Sequence, residues 1–317
     1  MRVAAVVVAW NSAAWIPECL RALAVQTRPA EEVVVVDNAS ADGSVERARA
    51  GEARVLALTA NEGFCAANNR GIAATTAPLV LLLNPDTALA PDFLEKLVPA
   101  FEDPGVGAAC GKLLRWDGRT LDSAGQALGW SRRPVDRGYG QPDTGRYDRR
   151  EDVFSACAAA ALYRRAALQS VAGPAGEVFD PRFFAFYEDL DLAWRLQRAG
   201  WRVAYRPEAR GRHARGATAG APGVRRRFQA LLHRTPDVRF HVVKNRWLTL
   251  LRNETAAGFL GHLPWILARD AATLALLGAT SPAVLGRLWR ERRVFAQAWE
   301  GRRLDFIRRR HQDSPSR

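Results

Sequence analysis

The chain has 317 residues, 48% of them hydrophobic, enough to bury a full core in about two structural units, which excludes a disordered tail protein. Its four cysteines, Cys19, Cys65, Cys110 and Cys157, are spread out with no C-x-x-C pair, so neither a zinc site nor a disulfide framework is suggested, and a reducing cytoplasm fits. The net charge of +13 is lopsided: residues 201–317 hold 24 Lys+Arg against 8 Asp+Glu, and residues 1–200 hold 22 against 25. A basic half of this kind attracts nucleic acid, anionic lipid and phosphorylated substrates alike, so charge alone selects none of them.

Met1-Arg2 leads directly into the apolar run Val3–Ala9, which lacks the length and the small-residue cleavage site of a signal peptide and is expected to be a first core strand. A helical pattern over 13–26 follows, then a strand over 33–36, a short helix near 45–49, a strand over 55–58, a helix over 64–75 and the strand Leu79–Leu83. Continuous apolar strands separated by helices predict an α/β fold with a parallel sheet covered on both faces. After a helix over 91–101 the pattern loosens around 116–118 and 130–147, which predicts a substrate-facing insertion before the apolar run 153–163. Leu190, Ala193, Trp194, Leu196 and Ala199 predict a helix over 188–199 stopped by Gly200, and a last strand is expected over 201–205. Beyond Pro207 the chain turns Arg-rich, with helices expected over 224–233, 240–253, 259–277 and 282–299. The stretch 271–286 is uncharged but is flanked too closely by Arg269, Asp270 and Arg287 for a transmembrane span. With Trp265, Trp289 and Trp299 nearby, these helices are expected either to lie in a membrane interface or to pack on the core.

The polar residues that could carry chemistry sit where those strands end. Asp37 and Asn38 follow the second strand, where ligands of open α/β sheets bind; the alternative is that Asp37, Asn38 and Ser40 only cap the next helix. Asn61, Gly63 and Asn68 form a second polar cluster, and Asn11 occupies the first strand's turn. The strand Leu79–Leu83 delivers Asn84-Pro85-Asp86, an amide and a carboxylate at its tip, which suits Mg²⁺ or Mn²⁺ completed by diphosphate oxygens; a turn-capping Asp is the rival reading. Glu188, Asp189 and Asp191 open a helix and could match its dipole, but the preceding Phe183-Phe184-Ala185-Phe186-Tyr187 would partly desolvate a carboxylate and strengthen it as a base. His213 is expected on a loop after the last strand. Residues 105–112 imitate a phosphate loop with the wrong interval and Leu113 where Ser or Thr should be, and no G-x-G-x-x-G opens the first helix, so P-loop and nicotinamide chemistry are disfavoured.

Taken in order, VVVAWNSAAWIPECLRAL, VVVVDNASADGS, NEGFCAANNRGI, LLLNPDT, FFAFYEDLDLAWRLQRAGW and the later His213 resemble the family 2 glycosyltransferases, in particular the rhamnosyltransferase-like branch, across about residues 3–218. The resemblance implies a GT-A fold: residues 1–103 as the nucleotide-sugar-binding half, 104–218 as the acceptor-binding half, and 219–317 as a basic helical extension. It implies donor contacts from Asn11, Asp37, Asn38, Asn61, Gly63, Asn68 and Asn84, with Asn84-Pro85-Asp86 standing at the family's D-x-D motif and Asn84 replacing its first Asp. Asp86 and His213 would hold the metal, Asp189 would be the base, and Glu188 and Asp191 would lie in the catalytic cluster. The implied reaction is inverting transfer from a dTDP- or UDP-sugar, rhamnose foremost, to a lipid-linked or saccharide acceptor. The setting would be cell-surface polysaccharide or glycolipid assembly, peripheral on the inner face of the cell membrane. Lys244-Asn245-Arg246-Trp247 resembles tails that approach lipid-linked acceptors. A sugar-nucleotide nucleotidyltransferase or a basic nucleic-acid-binding protein are the alternatives; the first lacks its Gly-rich loop at Trp10-Asn11-Ser12, and no nucleic-acid module is recognisable.

Overall fold

The computed structural model of the chain describes residues 1–215, 234–300 and 302. The strands β1 (Val3–Ala9), β2 (Glu32–Asp37), β3 (Arg54–Ala57) and β4 (Leu79–Leu83) pair in parallel in the order β4-β1-β2-β3. Three helices cross between them: α1 (Ile16–Ala24), α2 (Ser44–Ala50) and α3 (Gly63–Ala73). Every residue of β1 is buried, because its two faces both have partners. Val3, Ala5 and Val7 share a core with Ile16, Leu20 and Leu23 of α1, while Val6 and Val8 share one with Cys65, Ala67 and Ile72 of α3. Gly71 lets α3 approach, since a Cβ there would lie 2.3 Å from a Val6 methyl carbon.

The second half extends the same sheet. It comprises β5 (Thr87–Leu89), α4 (Phe93–Leu97), β6 (Val106–Arg115), β7 (Leu121–Ser123), β8 (Gln126–Leu128), β9 (Pro134–Asp136), β10 (Glu151–Val153), β11 (Ala160–Arg164), α5 (Arg165–Ser170), α6 (Glu188–Arg198) and β12 (Arg202–His213). The full order is β10-β12-β6-β11-β4-β1-β2-β3, with β11 antiparallel to both β4 and β6 and β12 parallel to β6; β5 pairs with β12 and β7 with β6, while β8 and β9 form a separate hairpin.

The span 105–112, rejected as a phosphate loop on spacing, lies largely in β6, an interior strand of the sheet. Three sequence expectations change. The strand expected to stop at Tyr205 continues to His213, because a register shift between Arg206 and Arg210 takes Pro207 into an irregularity of the pairing with β6. His213 is therefore a buried strand residue paired with Thr87, and not a loop residue. The apolar run 153–163 divides into the end of β10 and the start of β11.

The C-terminal region contributes α7 (Pro236–Asn253), α8 (Ala256–Thr280) and α9 (Pro282–Arg290). α7 and α8 begin earlier than apolar periodicity suggests because Thr235 and Thr255 cap them, accepting from the N–H groups of Val238 and Gly258. The helix expected over 224–233 lies outside the described residues.

Candidate active site

The carboxyl ends of β1, β2 and β4 meet at one sheet edge, where Ala9 lies beside Asp37 and Val7 beside Leu83. Strands β2 and β3 extend from one side of β1 and β4 from the other, so this edge is the crevice in which open α/β sheets bind ligands. Asp37 is 2% exposed; its Oδ2 accepts the Ser40 N–H at 2.9 Å, while Oδ1 is buried without a hydrogen-bond partner. One oxygen thus closes a turn, as the capping alternative expects, and the other has no hydrogen-bond partner among the described residues. Asn38 spends its amide on the neighbouring loop, donating to Asn61 Oδ1 at 2.8 Å and accepting the Glu62 N–H at 2.8 Å, and Asn61 Oδ1 also accepts the Gly63 N–H. Asn11, at φ 47, ties the β1 tip to the β2 loop through its N–H to Ser40 Oγ and its Oδ1 from the Ala41 N–H. Asn68 is buried and donates to the Phe64 carbonyl inside α3. Its neighbour Asn69, which sequence reasoning did not separate from the Asn-rich cluster, bridges the halves by donating to the Phe179 carbonyl and accepting the Val178 and Phe179 N–H groups.

Asn84 follows β4 half-buried, its N–H bonded to the Ala159 carbonyl, and Asp86 lies two residues on. The β5–β12 pairing brings His213 to Asp86, with Nε2 3.3 Å from Oδ1. The other ring nitrogen, Nδ1, is 2.8 Å from Asp122 Oδ2. Burial opposes charge on His213, but the two flanking carboxylates outweigh it and lift the imidazole to about 9. Asp122, fully buried on β7, also accepts from Arg215 Nε; Arg215 Nη2 reaches Asp136 Oδ2 at 2.8 Å; and Gln126 Nε2 lies 3.2 Å from Asp136 Oδ1 and 3.3 Å from Asp189 Oδ2. One polar chain, Asp86–His213–Asp122–Arg215–Asp136–Gln126–Asp189, thus joins three of the sequence candidates, Asp86, His213 and Asp189, through residues that sequence reasoning missed.

Among the described residues no group of three or more His, Cys, Asp or Glu is arranged to hold a metal ion. The Asp86–His213 pair offers two ligands of suitable type, and Asp122 on the far ring nitrogen is the partner that orients a metal-binding imidazole. These residues fit an ion whose shell is completed by a ligand's oxygens and water.

Glu188 and Asp189 open α6 after a loop with unusual geometry: Phe184, Phe186 and Tyr187 all have positive φ. Burial pushes the Asp189 carboxyl up, and the nearby Asp136 charge adds to it, against the Leu190 N–H that favours the ionised form. Burial and the adjacent Asp189 charge likewise raise Glu188, whose Oε2 is buried without a hydrogen-bond partner. Asp191 is placed differently. It is 1% exposed and held by Arg195 Nε at 2.9 Å, Asn253 Nδ2 at 2.7 Å and Arg252 Nη1 at 3.4 Å, so both its oxygens are engaged in packing α6 against α7. Two positions apart on a helix, Asp189 and Asp191 point in different directions. The sequence expectation for Lys244-Asn245-Arg246 also changes, since all three are buried inside the molecule.

Residues 4–172 match the family described as Glycosyl transferase family 2. The chain is 31% identical over 207 residues to a Bradyrhizobium diazoefficiens N-acetylglucosaminyltransferase, covering 61% of this chain and 40% of that protein. It is also 31% identical over 228 residues to the N-acetylglucosaminyl-diphospho-decaprenol L-rhamnosyltransferase of Mycobacterium tuberculosis, covering 63% of this chain and 72% of that protein. Its fold matches a Pyrobaculum calidifontis mannosyltransferase solved with GDP-Man and Mn²⁺, with a TM-score of 0.55 and 20% identity over 95% of this chain and 84% of that one. GalNAc-T7, solved with UDP, GalNAc and Mn²⁺, gives a TM-score of 0.60 and 14% identity over 87% of this chain and 51% of that chain. The expected GT-A fold is therefore present, and the nucleotidyltransferase and nucleic-acid readings give way. With the family match spanning more than half its length, the chain belongs to glycosyl transferase family 2 and is a glycosyltransferase.

Proposed function

We propose that the chain inverts the anomeric centre of a sugar as it moves it from a nucleotide-diphosphate donor to an acceptor hydroxyl, with rhamnose from dTDP-rhamnose as the foremost donor and a UDP-sugar second. The observation that carries this reading is the polar chain linking Asp86 and His213 at one end to Asp189 at the other. Asp37 Oδ1 is the remaining acceptor at the nucleotide end, suited to a base or ribose donor group. Asp86 and His213 would hold Mg²⁺ or Mn²⁺, which when bound supplies positive charge against the leaving diphosphate. Asp189, its carboxyl made more basic by burial, takes the acceptor proton as the hydroxyl attacks from the face opposite the leaving group. Gln126 holds the carboxylate's Oδ2, and the Leu190 N–H holds Oδ1.

The acceptor is proposed to be lipid-linked or a saccharide, in cell-surface polysaccharide or glycolipid assembly; the Mycobacterium tuberculosis relative's name specifies a decaprenol-linked acceptor. A peripheral membrane position, proposed for the cytoplasmic face, takes its support from the exposed apolar side of α8, which bears on membrane contact and not on which face is met. Its charged residues Arg269 and Asp270 lie on the partly buried side, where Asp270 binds Arg246 and Trp247, whereas Leu260 is 66% exposed, Leu267 56%, and Trp265, Leu274 and Phe259 are also exposed. A helix turned to water shows the opposite pattern. Among the described residues no single helix is long and apolar enough to cross a membrane; α8 and α9, bent by 116°, pass that test only as a pair.

The test is a thermal-stabilisation screen of dTDP-rhamnose, UDP-sugars and GDP-mannose with and without Mn²⁺, followed by transfer assays with the stabilising donors. Stabilisation by a dTDP- or UDP-sugar that grows with Mn²⁺ and is lost in Asp86→Ala supports the reading. Mn²⁺-independent stabilisation that survives Asp86→Ala removes the metal from it.

A further inference from the structure

The helix α7 lies beyond the family match, yet its polar face grips the loop that delivers Glu188 and Asp189. That loop follows an improbable path. Phe184 has φ 65 and ψ −67, and the Ala185 N–H donates to the Phe183 carbonyl at 2.8 Å, which makes a γ-turn of the strained hand; Phe186 at φ 73 and Tyr187 at φ 69 continue it in left-handed conformations. Bulky side chains do not hold such a path by local preference, so contacts from elsewhere must impose it.

Those contacts converge on one side chain. Asn245 is fully buried, and its Nδ2 donates to the carbonyls of Phe183, Ala185 and Phe186, each at 2.7 Å. One amide group with two hydrogens thus serves three acceptors, while its Oδ1 is buried with no partner among the described residues. Lys244 Nζ donates to the Arg182 carbonyl at 2.6 Å, and the His241 ring stacks on Phe184 at 4.8 Å. The same loop touches the donor side: the Phe184 carbonyl accepts the Cys65 N–H, and only a glycine fits at position 63, where a Cβ would lie 2.5 Å from the Phe184 ring.

We propose that Asn245 is a positioning residue for the transfer reaction, holding the carbonyls of Phe183, Ala185 and Phe186 so that the loop keeps its strained path and Asp189 stays aimed at the acceptor. The inference rests on Asp189 as the base. An alanine at 245 removes the side-chain donor from all three carbonyls, Phe183 keeping only the Ala185 N–H of the strained turn, so the loop relaxes and the carboxylate moves, and misplacement by about 1 Å costs roughly 10²-fold in rate. Asp37, whose own contact is with the Ser40 N–H, is the nucleotide-end residue and is not held by Asn245; the Cys65 N–H and Gly63 do touch the Phe184 part of the loop, so nucleotide affinity is measured beside turnover.

The experiment compares Asn245→Ala and Asn245→Asp with Thr249→Val, which loses a helix-internal hydrogen bond to the Asn245 carbonyl but keeps the amide. Turnover is measured on the full chain with dTDP-rhamnose or UDP-N-acetylglucosamine, whichever supports transfer, below each variant's unfolding midpoint; affinities for UDP and dTDP are measured by calorimetry. The expected result is kcat reduced roughly 10²-fold in both Asn245 variants, nucleotide Kd within twofold of the parent, and near-parental kcat in Thr249→Val. Turnover within threefold of the parent in Asn245→Ala overturns the proposal, as does a loss of turnover matched by an equal loss of nucleotide affinity. Asp189→Asn run alongside separates the two levels: if it transfers normally, the base assignment fails on its own, and a loss seen only at Asn245 overturns the route through Asp189.

Discussion

Replacing Asp189 by Asn changes the base while leaving its setting nearly intact. The side chains have the same shape, and the carbonyl end of an asparagine can still accept the Leu190 N–H that Oδ1 accepts at 2.7 Å. The other end meets Gln126 Nε2, 3.3 Å from Oδ2; because Gln126 Nε2 also donates to Asp136 Oδ1 at 3.2 Å it keeps its orientation, and the variant gives up this one long hydrogen bond. The fold should therefore survive, and the loss is chemical. A positioned general base contributes about 10²–10⁴ in rate, or about 2.7–5.4 kcal/mol of barrier at ~1.36 kcal/mol per decade. Initial-rate assays of nucleotide release with saturating acceptor should show kcat lower by that factor, and calorimetry should show nucleotide affinity unchanged, because Asp37 and Asp86 are untouched. The parent enzyme should also lose kcat on the acid side at a pH above the ordinary Asp range near ~3.9, since burial and the Asp136 charge raise the Asp189 carboxyl. The variant's residual rate should lack that acid limb. Turnover within tenfold of the parent, or a rate loss equalled by weaker nucleotide binding, would refute the assignment.

Asp122→Asn removes the charge that holds His213 Nδ1 at 2.8 Å, and should raise the Mn²⁺ concentration for half-maximal activity by about 10–100-fold; an unchanged Mn²⁺ titration would mean that His213 is not oriented for a metal. Glu188→Gln should stabilise the protein by about 1–3 kcal/mol at pH 8 and give almost nothing at pH 4. The sign follows from a folded-state pKa raised above the unfolded one: the parent is most stable with Glu188 protonated and loses that stability as pH rises from ~4.3 towards the raised value, a loss that glutamine cannot suffer. Equal denaturation midpoints at both pH values would contradict it. Leu260→Glu combined with Leu267→Glu alters two exposed positions of α8, so melting temperature should stay put while co-sedimentation with anionic vesicles falls severalfold; undiminished sedimentation would exclude this face as the lipid contact.

The central strands β1 and β4 were legible because each is buried along its whole length and so appears as an unbroken apolar run, Val3–Ala9 and Leu79–Leu83, while β2 and the edge strand β3, only partly buried, showed as shorter apolar runs. The polar candidates were legible because they stand at the ends of those runs. What the sequence hid was connectivity across distance. Asp122 and Asp136 sit on three-residue strands without a local pattern, and their partners His213 and Arg215 are 79 to 93 positions away. The loop position expected for His213 failed for a similar reason: Pro207 looks like a strand terminator until pairing with β6 shows a register shift that absorbs it.

The basic C-terminal half shows why summed charge was a poor guide to surface. Arg246 is buried against Asp270 and the Ser131 carbonyl, Lys244 against the Arg182 carbonyl, and Arg252 lies on Asp180 and Asp191, so part of the positive excess is spent as internal struts on the acidic first 200 residues. Composition could not separate those cations from solvent-facing ones, because both kinds share the same Arg-rich helices. The distinction matters for mechanism. A helix read as an electrostatic tail turns out to hold the loop before α6, and the face proposed for lipid is the uncharged one of the next helix, α8. The two tasks, one observed and one proposed, therefore fall on consecutive helices joined across Glu254 and Thr255.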